Sequence, residues 1–219
     1  MRSTRKELYE MKKINIKLTY IDELLGTCSA NPEIHAEFIA SKAPDHASRE
    51  EEVAAIGVEE AIDKAMTVFP KMDDGTPFLW DYQFKGFFKD SCGLLRRADN
   101  MKSKTLKAYK KEIDGLVFVT PRRIPLAMPD GGHVGSCQRP LRASTAQGER
   151  VALANSETVP EGTTQTFSIT VLRDGLLPLV KEWLDYGALH GTGQWRNSGK
   201  GRFVYTAYDE NGVKLFGTE

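Results

Sequence analysis

The sequence predicts an α+β fold in which helices pack on one face of an antiparallel or mixed sheet. Residues 13–20 alternate between polar and apolar side chains, and residues 163–172 place Phe167, Ile169 and Val171 on one face, so each segment predicts a strand. An amphipathic segment, GLLPLVKEWLDYGAL, predicts a helix that starts after Asp174 and ends at Gly187. The strand RFVYTAYD follows it near the end of the chain, so helices and strands alternate within one unit.

The elements between these segments complete the order. We expect helices at 32–43, 49–69 and 83–100, a basic helical stretch at 103–113, and strands at 78–82, 116–126, 139–144 and 150–160. Pro121 interrupts one of these strands, and residues 128–136 form a loop. The order β-α-β-(helices)-β-β-α-β is typical of a ferredoxin-like plan with insertions. We expect an N-terminal arm at 1–12 and a single domain at 13–219, with an insertion at 21–75.

Composition excludes several classes of protein. Of the 219 residues, 40% are hydrophobic and 27% are charged, which indicates a globular chain rather than a disordered one. The charged N-terminus lacks the apolar stretch of a secretory signal, and no apolar run is long enough to cross a membrane. Three cysteines without framework spacing favour a reducing compartment. We therefore expect a cytoplasmic protein.

The net charge is zero, but charge is distributed unevenly. Residues 49–74 are rich in acids, whereas residues 85–111 are basic and further arginines follow. Basic segments that share one face would bind a polyanion. The candidate contacts from these segments are Lys85, Lys89, Arg96, Arg97, Arg122, Arg123, Arg139 and Arg142.

Residues 187–203 combine glycines with cations and one aromatic. Glycines in such a loop permit positive φ and close approach to a ligand, and successive amides can converge on a phosphate. Cations for phosphates, an aromatic ring for a base, and amides or hydroxyls for sugars are what single-stranded RNA requires. The candidate RNA contacts here are His190, Gly191, Gly193, Gln194, Trp195, Arg196, Asn197, Ser198, Gly199, Lys200, Gly201 and Arg202.

Two other interpretations of this loop are weighed. The spacing matches neither G-x-G-x-x-G nor G-x-x-x-x-G-K-[ST], so a nucleotide cofactor is disfavoured and none is expected. The loop could also be a flexible connection whose tryptophan packs back on the sheet.

His133 and Cys137 lack a second pair of ligands, so no metal site is expected.

Three ordered segments resemble the RAMP superfamily, the RNA-binding proteins of CRISPR systems. Gly191-x-Gly193 followed by Gly199-x-Gly201-Arg-Phe is similar to the family's glycine-rich loop. FLWDYQFKGFFKDSCGLLRR is similar to its strand-turn-helix, and ETVPEGTTQTFSITVL to its strand entry. The resemblance implies a ferredoxin-like or RNA-recognition-motif-like fold. It also implies a backbone-type subunit that coats guide RNA by self-association or contacts with other ribonucleoprotein subunits, in a CRISPR-like or phage-encoded particle.

Two alternatives stay open from the sequence. A CRISPR RNA-processing endoribonuclease would need a general acid or base, for which His35 is the candidate, while Asp45 is the candidate for target cleavage by a backbone subunit. We expect His190 to contact RNA rather than to act as a base. A mimic of a CRISPR subunit would instead act through protein contacts, with the acidic segment 49–69 as its partner face.

Overall fold

A computed structural model describes residues 11–30, 66–145 and 148–218. In 141–145 and 148–153 it describes the backbone alone. The helix predicted at 32–43, most of that at 49–69, and the candidates His35 and Asp45 lie outside these ranges. None of the helices within them has both the length and the apolar run needed to cross a bilayer.

The described elements are named in chain order. The strands are β1 (Lys12–Tyr20), β2 (Leu24–Leu25), β3 (Cys28–Ser29), β4 (Met66–Val68), β5 (Phe78–Trp80), β6 (Val117–Thr120), β7 (Arg123–Pro125), β8 (Gly135–Thr145), β9 (Gly148–Val159), β10 (Thr164–Val171), β11 (Phe203–Tyr208) and β12 (Lys214–Gly217). The helices are α1 (Asp81–Leu95), α2 (Tyr109–Leu116) and α3 (Leu177–His190), with 3₁₀ turns at Lys102–Thr105, Asp174–Leu176 and Arg196–Ser198.

The main sheet has the strand order β12-β11-β1-β10-β6, and all its pairs are antiparallel. Without β12, the chain order β1-α1-β6-β10-α3-β11 and the spatial order β11-β1-β10-β6 are those of a ferredoxin-like fold. The predicted α+β ferredoxin-like class is therefore confirmed.

Aromatic side chains join α1 and α3 to one face of this sheet. Alternation in β1 buries Ile14, Ile16, Leu18 and Tyr20 on that face. Ring centroids are 4.2 Å apart for Phe84 of α1 and Phe167 of β10, 5.5 Å for Phe87 and Phe203, and 5.7 Å for Phe88 and Trp183 of α3. The opposite face carries exposed Lys17, Thr166 and Phe118.

A second sheet has the order β2-β9-β4-β3, with β8 paired to β9. The long β8–β9 hairpin lies in sequence between β7 and β10, so it is an insertion into the ferredoxin-like order. Its pairing places Cys137 opposite Ser156 and Arg139 opposite Ala154. Because side chains two residues apart share a face, Arg139 and Ser156 lie on the same face of the hairpin.

Several boundaries differ from the sequence-based expectations. Residues 66–68, predicted as the end of a helix, form β4, because they pair with Cys28–Ser29 and with β9. The strand predicted at 116–126 with an interruption at Pro121 divides there, at a cis Thr120–Pro121 bond, into β6 and β7, and these belong to different sheets. The basic stretch at 103–113 divides into a 3₁₀ turn and α2, and β12 was not predicted.

Gly187 lies inside α3, which continues to His190 rather than ending at Gly187 as predicted. A Cβ atom at this position would overlap the Phe203 ring, with Phe203 Cε1 2.5 Å away. The missing side chain therefore allows α3 to approach β11. Gly187 is part of the core and not of the loop.

Replacement of Gly187 by Ala should destabilise the fold. Alanine normally stabilises a helix interior relative to glycine by about 0.5–1 kcal/mol, but here overpacking should cost about 1–3 kcal/mol. Gly86→Ala in α1 is the matched control, because nothing lies within 4 Å of its added Cβ. Denaturant unfolding should give a lower stability for Gly187→Ala and an unchanged or higher one for Gly86→Ala. Equal stability of the two variants would contradict the packing.

Candidate nucleic-acid interface

The glycine loop, defined as residues 191–202, connects α3 to β11 and packs against the turn between β1 and β2. Thr192 N donates to Gly201 O over 2.9 Å and closes the base of the loop. Gly201 N donates to Glu23 O, and Ile21 N donates to Arg202 O, each over 2.9 Å. These bonds fix the loop beside the chain segment 21–27.

Two glycines of the loop are explained by this closure. Gly191 and Gly201 have φ of +73° and +72°, in the left-handed region that favours glycine. A Cβ atom at Gly201 would overlap Thr192 O, and one at Gly191 would lie 2.5 Å from Lys200 O. Close approach of the chain to itself requires glycine at both positions.

The phosphate-binding cradle expected from the sequence does not form from the backbone amides of Gly191, Thr192, Ser198, Gly199 and Gly201. Gly191 N donates to Gly187 O over 3.0 Å, in addition to the Thr192 and Gly201 amides that close the loop. Ser198 N donates to Trp195 O over 3.0 Å, and Gly199 N to Arg196 O over 2.8 Å. Glycine-rich composition predicted convergent amides, but tertiary closure uses these donors inside the protein.

The three cations of the loop each pair with a carboxylate from another element. Lys200 Nζ lies 2.6 Å from Glu23 Oε2, and Arg202 Nε lies 2.7 Å from Asp22 Oδ2. Arg196 pairs with Asp90 of α1. These carboxylates were not identified from the sequence. Asp90, Asp22 and Glu23 are each more than a hundred residues away in sequence from the cation that they contact.

His190 joins the Arg196–Asp90 pair. Its ring stacks on Tyr186 with centroids 4.9 Å apart. Its Nε2 lies 3.1 Å from Asp90 Oδ2 and 2.9 Å from Arg196 Nη1. Since one nitrogen meets both partners, it donates to Asp90 in one tautomer and accepts from Arg196 in the other.

Arg139 of β8 brings the second sheet into contact with the loop. Its Nη1 donates to Ser156 Oγ over 3.0 Å, and its Nη2 donates to Gln194 Oε1 over 2.9 Å. The guanidinium lies 5.3 Å from the centroid of the Trp195 ring. Gln194 Nε2 donates in turn to Gly26 O over 2.8 Å, so the hairpin, the loop and the β1–β2 segment meet here.

The charge of Arg139 is nearly buried, and no residue in the described part of the chain supplies a counter-ion. The residue is 5% exposed, and within the described ranges its hydrogen-bond partners are neutral and it makes no ion pair. Buried charges are normally paired, because removing a charge from water is costly. Arg139 therefore places a positive charge beside the Trp195 ring.

Trp195 presents its ring at this surface. The residue is 39% exposed, whereas Trp80 and Trp183 are fully buried. Its φ of +53° is unusual for a bulky residue and stores backbone strain of order 1–3 kcal/mol. Asn197 and Ser198 are also exposed on the adjoining 3₁₀ turn.

Most of the other predicted cations contact residues outside the loop. Lys89 Nζ lies 2.5 Å from Asp114 Oδ1, and Lys85 Nζ donates to Asp114 O over 3.2 Å. Desolvation lowers the pKa of Lys85, against the raising effect of Asp114. Arg96 lies over Tyr109, Arg122 and Arg123 lie over Trp80, and Arg97 is exposed after α1. The side chain of Arg142 lies outside the described part.

The site therefore unites part of the predicted set, namely His190, Gln194, Trp195, Arg196, Lys200 and Arg202 with Arg139. In the described ranges, no group of three or more His, Cys, Asp or Glu side chains could hold a metal ion. Sequence reasoning did not single out Ser156 or the three carboxylates.

Comparison with solved structures gives distant likenesses. No family model matches the chain, and no curated protein matches it. A chain of the structure described as "Cryo-EM structure of the Type III-B Cmr-beta bound to cognate target RNA" is similar, with 11% identity and a TM-score of 0.47. The match covers 95% of this protein and 60% of that chain, so this protein spans less than two thirds of the length of the matched chain.

Replacement of Gln194 by Ala tests the junction between hairpin and loop. The change removes an acceptor from the buried Arg139 and a donor from Gly26 O, and an unsatisfied buried group costs about 1–3 kcal/mol. Thermal and denaturant unfolding should report this loss. Asn197→Ala, on an exposed residue of the same loop, should change stability by less than about 0.5 kcal/mol. A Gln194→Ala variant as stable as Asn197→Ala would argue against the junction.

Proposed function

We propose that this protein binds single-stranded RNA at the glycine loop, with a base on Trp195 and phosphates on the surrounding cations. The observation that carries the proposal is the exposed Trp195 ring beside the buried guanidinium of Arg139, which no residue in the described ranges pairs with an opposite charge. An exposed aromatic ring beside a positive charge is suited to a base joined to its phosphates.

The ring of Trp195 is the stacking group. The other two tryptophans are part of the core, whereas Trp195 is exposed. The hydrophobic effect alone would favour burial of its ring. Its left-handed backbone holds the ring outward at a conformational cost. Strain of this kind is often retained at binding sites, where it preorganises the contact.

The site favours single-stranded RNA over a duplex. Bases in a duplex are stacked on one another, whereas an unpaired base can leave the stack and lie on an aromatic ring. The exposed amide of Asn197 and hydroxyl of Ser198 can reach a sugar or a base edge, and a 2′-hydroxyl would distinguish RNA from DNA.

The loop cations supply the phosphate contacts. Arg196, Lys200 and Arg202 lie in the same short loop as the ring, and each retains solvent exposure of its side chain. Backbone contacts of this kind do not depend on base identity. We therefore propose recognition of the strand rather than of a particular sequence.

The arrangement fits a subunit that acts in several copies. One ring and one cluster of cations address only a few nucleotides, so tight binding to a long strand requires repeated sites. We propose that copies associate head to tail along a guide RNA, as a backbone-type subunit of a CRISPR-like or phage-encoded ribonucleoprotein. Such heterologous contacts generate open helical arrays.

Replacement of Trp195 by Ala is the direct test of the site. Loss of one stacked base costs about 1–3 kcal/mol, so the dissociation constant for a labelled single-stranded RNA should rise about 5- to 150-fold. Trp195→Phe, which keeps an aromatic face, should lose much less. Leu189→Ala alters a side chain that is 77% exposed outside the loop and should leave binding unchanged. Equal affinity of the Ala variant and the unaltered protein would contradict the proposal.

Copy number is tested by size-exclusion chromatography of purified protein with and without ribonuclease. The proposal predicts long RNA-containing assemblies that shorten on digestion, and RNA that stays intact when incubated with the protein in EDTA. Protein that elutes free of nucleic acid and gains no mass with added RNA would favour a role in protein contacts. Discrete RNA fragments formed in EDTA would indicate an endoribonuclease.

A further inference from the structure

The cations of the glycine loop are already neutralised within the protein. Arg196 pairs with Asp90, Lys200 with Glu23, and Arg202 with Asp22. We propose that these three carboxylates determine the specificity of the site by competing with phosphate for the loop cations. The inference rests on the proposed RNA-binding function.

The pairs are accessible to an incoming phosphate. Side-chain exposure is 41% and 29% for Arg202 and Asp22, 24% and 46% for Lys200 and Glu23, and 31% and 39% for Arg196 and Asp90. Ion pairs of this exposure are weak, because water and salt screen them. A phosphate can therefore replace each carboxylate without opening the fold.

The carboxylates are held in place by backbone contacts. Glu23 follows directly on Asp22, and the main chain beside them bonds to Gly201 and Arg202 of the loop. Asp90 lies within α1, whose neighbours Phe87 and Phe88 are buried in the core. The backbone that carries each competitor is consequently fixed beside the loop. RNA must displace all three to use the full charge of the loop.

The pairing has a consequence for selectivity. A polyanion that offers charge alone gains little, since each new cation–phosphate pair replaces an existing cation–carboxylate pair. A single-stranded RNA gains in addition the contact of a base with Trp195. The carboxylates thus suppress binding of duplexes and polyphosphate while leaving base-dependent binding in place.

The pairing also has a consequence for salt dependence. Affinity falls with salt because phosphate binding releases condensed counterions, with a slope of about 0.7 per contact for single strands. Exchange between two anions leaves the released carboxylate to collect counterions itself. The slope should therefore be smaller than the number of loop cations implies, and neutralising a carboxylate should steepen it.

The test is to measure affinity and salt slope for a labelled single-stranded RNA with Asp22→Asn, Glu23→Gln, Asp90→Asn and the triple variant. Each single change should tighten binding about two- to fivefold and steepen the slope by up to about 0.7. Binding of duplex RNA and polyphosphate should increase more than binding of the single strand. Asp99→Asn, which removes the exposed partner of Lys104 outside the loop, should change neither quantity.

A double-mutant cycle separates competition from a general change in charge. Asp22→Asn should tighten binding in the unaltered protein but not in an Arg202→Gln background, because the cation for which Asp22 competes is then absent. An equal gain in both backgrounds would overturn the inference, as would unchanged affinity and slope in the triple variant. If RNA binds neither the unaltered protein nor the triple variant, the proposed function is overturned as well. Trp195-dependent binding without any effect of the carboxylates would overturn the inference alone.

Discussion

The contact between Gly187 and the Phe203 ring sets the geometry on which the rest of the site depends. Because position 187 has no side chain, α3 can lie directly on β11, and the chain must turn back within the short segment between them. That turn is the glycine loop, closed at its base by the Thr192–Gly201 bond. The position of His190 at the end of α3, and of Trp195 beyond it, follows from this packing.

A chain of zero net charge can present a local site for a polyanion when cations and their counter-ions differ in how firmly they are held. The loop cations have carboxylate partners at the surface, where pairing is weak. Arg139 is buried and is held by neutral groups, so its charge is not cancelled locally in the described part of the chain. The ring of Trp195 lies beside this second kind of charge. Charge and aromatic face together form the binding surface that we propose.

Sequence patterns predicted the elements whose packing is amphipathic. Alternation along β1 and β10 and the apolar face of α3 appear in the structure as predicted, since one face of each is buried. The 66–68 stretch was wrongly predicted, because pairing with Cys28–Ser29 and β9 overrides its local preference. The two exposed positions of β12 are adjacent, so this short strand lacks the alternation by which strands are recognised.

The candidate site was predicted in composition but not in its bonding. The residue types of the loop identified Trp195 and its cations, yet the glycines at 191 and 201 allow chain closure rather than ligand approach. The role of Arg139 depends on a hairpin that packs against the loop from another sheet, and that contact has no signal in the local sequence. For the same reason Asp22, Glu23 and Asp90 could not be matched to their cations.

Photo-crosslinking of a single-stranded RNA to the protein, followed by mass spectrometry of the attached peptides, tests the central claim most directly. We expect the crosslinked nucleotides on peptides that contain Trp195 and its exposed neighbours Asn197 and Ser198 in the glycine loop. Crosslinks confined to the opposite face of the main sheet, at Lys17 or Phe118, with none in residues 191–202, would contradict the account.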